Sequence, residues 1–463
     1  MMKKYCDMVE KHKDQILDAE KYLWKNPESG YKEIKTNAYM LKQFEKLGYE
    51  NIVKAENITG FYTVIDTKRE GPTVLVLAEL DSLINRLHPE SDKETGAVHN
   101  CGHHIQCAAM LGLAAALKEE GALNELCGKI KLCVVPAEEG IELAYRKELI
   151  NKGIIKHTSG KTEFISRGYF DDVDIAFMIH ACNMSKDVEA EGITDYQNKK
   201  VYLSVGHTGV IRKQIIVQGK AAHAGAHPHK GINALNAANL MLLACNSLRE
   251  TFKESDLVRF HSIITKGGDS VNAVPDEVVI ESYVRAATSV ALKQENNKIN
   301  RALCACAAAM GAQVKIIDGA GSQPVNDDVN FNALASEVLD NLVGKDGYFI
   351  QKNRRASSSD FGDVSMLLPS IISYVGGCSG TFHGNDFEVI DPYNSCVLGA
   401  QYQLAILVDL LKNGAEKAKD IISKYTPTFN SIDEYLVFVN SLNMEKDAVK
   451  YNEDGTVLLD YTK

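Results

Sequence analysis

Short, almost unbroken apolar runs alternate with amphipathic stretches along much of the chain. Residues 73–78 (TVLVLA), 129–135 (KIKLCVV), 174–179 (DIAFMI) and 370–375 (SIISYV) are rich in β-branched side chains and nearly continuous in hydrophobicity. Such runs predict strands covered on both faces by helices. Between the first two lies 105–119 (IQCAAMLGLAAALKE), which predicts an amphipathic helix. The opening fifty residues carry helical periodicity, broken at Pro27–Gly30, with a second helix ending at Gly48. This alternation implies an α/β fold: an open mixed sheet flanked by helices.

Near Thr208 the texture changes. Residues 209–218, 257–265 and 278–286 read as strands, and 233–252 and 291–310 as helices. That predicts an inserted α+β unit over 208–320, between a first catalytic-domain part (1–207) and a second (321–463). Residues 156–168 read as a polar, irregular insertion loop, and those after Lys424 as an appended tail of unassigned role.

At 463 residues the chain exceeds what one core usually serves. A net charge of −10 argues against nucleic acid or an acidic membrane surface as main partners. Eleven scattered cysteines without a C-x-x-C pair suit a reducing, cytoplasmic setting. The charged N-terminus has no apolar signal region, and the longest small-apolar run, 302–312, is too short to span a bilayer.

Candidate chemistry collects where the predicted strands end. Glu79 and Asp81 follow the first run, Glu138 and Glu139 the second, and His180 the third; a glycine-rich turn after the fourth leads to His383. In open α/β sheets, ligands bind beyond the carboxyl ends of the strands. A further set, His99-Asn100-Cys101-Gly102-His103-His104, precedes the helix at 105–119. On a regular helix Cys101 and His103 would diverge by about 200°. Convergence on one centre therefore needs a non-helical turn, which Gly102 permits. Thiolate, imidazole and carboxylate together suit Zn²⁺, with Mn²⁺, Co²⁺ or Ni²⁺ as alternatives. Taken singly, each residue has a plainer explanation: Cys101 as a small core hydrophobe, the glutamates as solvated loop charges, His180 as a core histidine. Their joint occurrence at strand ends favours a metal site. Adjacent glutamates suit hydrolysis because one can ligate while the other takes a proton from water.

At these residues the sequence resembles the co-catalytic metallopeptidase and amidohydrolase family of aminoacylase, succinyl-diaminopimelate desuccinylase and the indole-acetyl-amino-acid hydrolases. The resemblance is nearest to the aminobenzoyl-glutamate hydrolase and β-alanyl-dipeptidase branch. It runs from about Leu23 to Leu410 through NPESGYKE, HNCGHH, PAEEG, KAAHAGAHPHKGINAL, NAVPDEVVIESYVR and SSSDFGDVSMLLPSIISYVGG. It implies a zinc-exopeptidase-like catalytic domain, an inserted lid and dimerisation domain, and a homodimer formed through that lid. It further implies two divalent metal ions on Cys101, His103, Glu139, His180 and His383. Glu138 becomes the general base and Asp81 a residue orienting a ligand. His223 matches the histidine that stabilises the oxyanion in a neighbouring subunit, and Asn272 and Arg285 match positions holding the substrate's carboxylate. His227 and His229 are left as surface or structural residues. The implied reaction is cleavage of the amide bond in an N-acyl amino acid, aminobenzoyl-glutamate-like or dipeptide substrate.

Departures fall near the expected pocket, the insertion at 156–168 among them. His104 stands where the family usually has Asp or Asn, Glu79 replaces a commoner Asp, and 141–145 (IELAY) replaces a glycine-rich stretch. A degenerate member that binds amino acids or peptides without turnover is the alternative reading. A serine hydrolase lacks its G-x-S-x-G, and Ile155 stands where a phosphate-binding loop ending at Gly160-Lys161-Thr162 would need glycine.

Overall fold

The computed structural model describes residues 2–462 and divides into two compact units. The first comprises the chain up to Gly206 with Asn326–Arg354 and Asp363–Thr428; the second comprises His207–Val325, Arg355–Gly362 and the chain from Phe429 onward.

An eight-stranded mixed sheet forms the first unit. Its spatial order is Ile52–Lys54, Phe61–Asp66, Lys129–Val135, Thr73–Glu79, Ile175–Cys182, Ser370–Gly376, Val201–Leu203 and Tyr348–Ile350. The four central strands run parallel, from Lys129–Val135 through Thr73–Glu79 and Ile175–Cys182 to Ser370–Gly376. Phe61–Asp66 and Val201–Leu203 pair with this block antiparallel. Every residue of Thr73–Glu79 is buried, as the unbroken apolar run predicts for a strand covered on both faces. The helix His103–Leu117 is buried along its whole length and joins the same core as the helices Lys13–Trp24 and Gly399–Leu411.

Because the central strands are parallel, their carboxyl ends open on one edge of the sheet. Two local readings differ from expectation. The strand at 175 continues to Cys182, so His180 lies inside it. The segment read as an irregular loop contains a helix, Gly160–Ser166, whose first six residues are all buried. Phe164 packs there against Tyr169 and Phe170, and a helix of seven residues, about two turns, is too short to show a helical period.

The second unit is an antiparallel sheet ordered Arg259–Lys266, Glu277–Ala286, Gly209–Gln218, Gln313–Ala320 and Met444–Asp447. Gly209–Gln218 alternates buried and half-buried positions, one face meeting the helices Ala234–Ser247 and Ser289–Ala309. Lys213 crosses this core and is fully paired, to Asp318 and at 2.6 Å to Asn300. Residues after Lys424 thus acquire a place: they supply the fifth strand and a hairpin, Val449–Tyr451 with Val457–Leu459. Among the described residues no helix is long and apolar enough to cross a membrane.

Candidate metal centre

The first unit draws six of the expected side chains into one cluster. Ligand atoms of Cys101, His103 and His180, of Cys101, Glu139 and His383, and of His103, Glu138 and Glu139 lie within 4.8 Å of one another in each group. Cys101 Sγ is 3.6 Å from His180 Nε2, and His383 Nε2 is 3.4 Å from Glu139 Oε1.

The turn between Cys101 and His103 explains how two residues so close in sequence converge. Gly102 takes φ +85° and caps the helix that His103 begins. A side chain there would be strained by that φ and would also meet Ala181 Cβ at 2.6 Å. The His383 loop is pinned onto the same turn: His383 N donates to Asn100 O at 2.9 Å, and Asn100 Nδ2 donates to Gly384 O at 3.1 Å.

Hydrogen bonds to one ring nitrogen leave the other for a metal. His103 Nδ1 lies 3.1 Å from Asp81 Oδ1 and 3.0 Å from the Asp81 carbonyl; both are acceptors, so Nδ1 carries the proton. His180 Nδ1 likewise donates to Ala181 O at 2.8 Å. Asp81, fully buried, also accepts from Glu139 N at 2.9 Å, so one carboxylate orients two neighbours in the cluster.

Charge inside the cluster is strongly perturbed. Burial pushes the Glu139 carboxyl up, but the His383 ring and then His103 hold it down at about 2. Burial and the Glu139 charge push the Cys101 thiol well up. Burial favours a neutral His103, yet the Glu79 carboxylate, Cys101 and Asp81 outweigh it and raise that ring. His103 Nε2 and Glu139 Oε1 are buried without a hydrogen-bond partner. Orphaned imidazole and carboxylate atoms beside a buried thiol fit a divalent transition metal, whose binding would displace the thiol and imidazole protons.

Arg146 and Glu33 were not singled out from the sequence, and both brace this cluster. Arg146, buried, donates Nη1 to Thr158 O at 2.7 Å and Nη2 to Glu139 O, stapling the turn that carries both glutamates. Ala137 in that turn has φ +56°, and its amide donates to Glu33 Oε1 at 2.9 Å. Glu33, at the end of NPESGYKE, is itself buried and takes the Thr59 hydroxyl at 2.5 Å; burial and then Asp81 raise its carboxyl to about 8. Glu79 turns to Lys161 and Gln106. His104 belongs to none of the ligand groups. It lies 3.4 Å from Glu20, its ring is tilted against those of Trp24 and His99, and burial lowers its pKa.

His223, Asn272 and Arg285 belong to the second unit. His223 is exposed on a turn that pairs with the Asn272 turn: Ala224 N donates to Asn272 O at 2.9 Å. Its Nδ1 accepts from the amides of Gly225 and Ala226, so the proton resides on Nε2. Arg285 sits on Glu277–Ala286, 4.7 Å over the Tyr283 ring, and donates to Ala356 O at 2.8 Å.

A mixed α/β sheet bearing a buried Cys-His-Glu centre, with a separate α+β unit, defines a metal-dependent hydrolase acting on amide or peptide bonds. The family model of the peptidase dimerisation domain (M20_dimer) matches residues 205–306. The relatives below, to which the chain is similar over most of its length, are a deacetylase and peptidases. The chain is 27% identical over 332 residues to N-acetyl-L-cysteine deacetylase of Bacillus subtilis (strain 168), covering 70% of this chain and 72% of that protein. It is 25% identical over 395 residues to Xaa-Arg dipeptidase of Mus musculus, covering 81% and 79%. A dinuclear metal-binding peptidase of the M20 family from Bacillus subtilis shares the fold with a TM-score of 0.64 at 20% identity, covering 87% and 99%.

Proposed function

We propose that the chain hydrolyses the amide bond of an N-acyl amino acid, an aminobenzoyl-glutamate-like conjugate or a dipeptide with a free carboxylate. Cys101, His103, Glu139, His180 and His383 hold two divalent ions, Zn²⁺ by donor set. The observation that carries this reading is the convergence of those five side chains beside Glu138.

The ions, when bound, supply Lewis acidity toward the substrate carbonyl and make water a nucleophile at neutral pH. Glu138 takes the proton of the attacking water and passes it to the leaving amine. Asp81 holds His103 in one tautomer and Glu139 in place. From the second unit, His223 donates Nε2–H to the oxyanion of a neighbouring subunit in a homodimer, and Asn272 and Arg285 hold the substrate's carboxylate. These three roles come from the family resemblance; the Nε2 proton of His223 suits a donor.

The test is a hydrolysis screen with Zn²⁺, Mn²⁺ or Co²⁺ over N-acyl amino acids, aminobenzoyl-glutamate and β-alanyl dipeptides. Turnover abolished by chelator is expected, and metal uptake with no hydrolysis of any class would favour a binding protein instead. Glu138→Gln keeps its metal and loses about 10²–10⁴-fold in turnover, whereas Glu139→Ala loses metal as well. A Glu138→Gln protein with near-normal turnover removes the base from the mechanism.

A further inference from the structure

Beside the ligand cluster lies a charged pair that the mechanism above does not use. Lys161 is the second residue of the buried helix Gly160–Ser166, and its side chain is wholly inaccessible. It pairs with Glu79 Oε1 at the end of the strand Thr73–Glu79. The other oxygen, Oε2, accepts from Gln106 Nε2 at 2.7 Å and stands 3.2 Å from His103 Nε2. That nitrogen is the one left for a metal, because Asp81 occupies Nδ1. Glu79 is therefore a carboxylate at the rim of the centre, turned toward a lysine.

We propose that Lys161 is a positioning residue that sets the metal affinity of the centre by neutralising Glu79 and holding it off the ions. The inference rests on the metal-hydrolase reading above. Loaded with two divalent ions, the cluster contains the Cys101 thiolate and the carboxylates of Glu138, Glu139, Asp81 and Glu79, with the histidines neutral. Lys161 cancels the charge of Glu79 and so keeps that carboxylate out of the balance between the ions and the ligating side chains. Buried charge needs such balance, since an uncompensated group is costly at low dielectric. Arg146, the other buried cation here, donates to the backbone carbonyls of Ala137, Glu139 and Thr158 instead.

A purely structural pair and a charge-setting pair differ in the sign of their effects. If the pair only ties the helix to the strand, breaking it from either side loosens the centre. If Lys161 sets the charge, Lys161→Met leaves Glu79 as a surplus anion against His103 and tightens metal binding, whereas Glu79→Gln leaves a surplus cation and weakens it. The double variant Glu79→Gln/Lys161→Met restores neutrality.

The experiment is a Co²⁺ titration of the full-length protein against a competing chelator, following the thiolate-to-cobalt absorption band. Expected are at least tenfold tighter binding in Lys161→Met, at least tenfold weaker binding in Glu79→Gln, and a double variant within about threefold of the unaltered protein. Loss of affinity in both single variants, or no change in either, overturns the proposal. Should Lys161→Met not fold, the double variant decides: it must bind Co²⁺ more tightly than Glu79→Gln alone, and failure to do so overturns the proposal equally. An unaltered protein that takes up no Co²⁺ refutes the metal-hydrolase reading itself, an outcome distinct from both.

Discussion

Asp81→Asn is the substitution that most directly tests how the centre is organised. Asp81 accepts from His103 Nδ1 at 3.1 Å and from Glu139 N at 2.9 Å, and no part of it reaches solvent. An asparagine of the same shape keeps one acceptor oxygen and turns an NH₂ toward the other donor. Whichever way the amide sits, one donor faces another. His103 Nδ1 retains the Asp81 carbonyl at 3.0 Å as a second acceptor, so the loss falls mainly on the Glu139 amide and on the missing charge. A hydrogen bond to a charged group is worth about 1.5–3 kcal/mol. At roughly 1.4 kcal/mol per factor of ten, metal affinity falls by about 10–100-fold. Chelator competition at pH 7 measures this, with a melting curve of the metal-free protein as a check on folding. A folded Asp81→Asn protein with metal affinity within about twofold of the unaltered chain would refute the assignment of Asp81 as the organiser of the centre.

Two other outcomes follow from the same geometry. Glu33 is protonated in the folded state up to about pH 8, whereas a carboxyl of the unfolded chain titrates near its ordinary value of about 4.3. The folded protein therefore holds a proton the unfolded chain has released, and stability falls as pH rises between those values, by up to about 1.4 kcal/mol per pH unit. Glu33→Gln should flatten the urea-midpoint profile between pH 5 and 8, and an unchanged slope would sink this account. Gly102→Ala adds strain of about 1–2 kcal/mol for a left-handed backbone and a 2.6 Å clash with Ala181 Cβ. Expected is a weakened thiolate–cobalt band and metal binding reduced at least tenfold; a normal band would show that the turn tolerates the change.

The strands were legible because burial on both faces leaves an unbroken apolar run, and the clustering of the candidate ligands was legible because they follow those runs on one edge. Gly102 was readable for a geometric reason, since a helix cannot converge Cys101 and His103. What stayed hidden depends on partners distant in sequence. Nothing local distinguishes Glu79, bound to Lys161, from Asp81, bound to His103; both simply follow TVLVLA. Arg146 lies in a helix of ordinary polarity, and only the fold brings its guanidinium to the Glu139 carbonyl. Glu33 lay within the quoted NPESGYKE motif, the one signal that could have found it. His104 shares its motif with two cluster residues and still turns to Glu20.

The strand Met444–Asp447 has a consequence for how the protein is made. Its pairing partner, Gln313–Ala320, leaves the ribosome far earlier. Until Met444–Asp447 emerges, that sheet margin shows unpaired amides and carbonyls, a template for any neighbouring nascent chain. Aggregation and chaperone capture should therefore concentrate in this window of synthesis, and fusions that crowd the late strand should lower yield before they touch the chemistry.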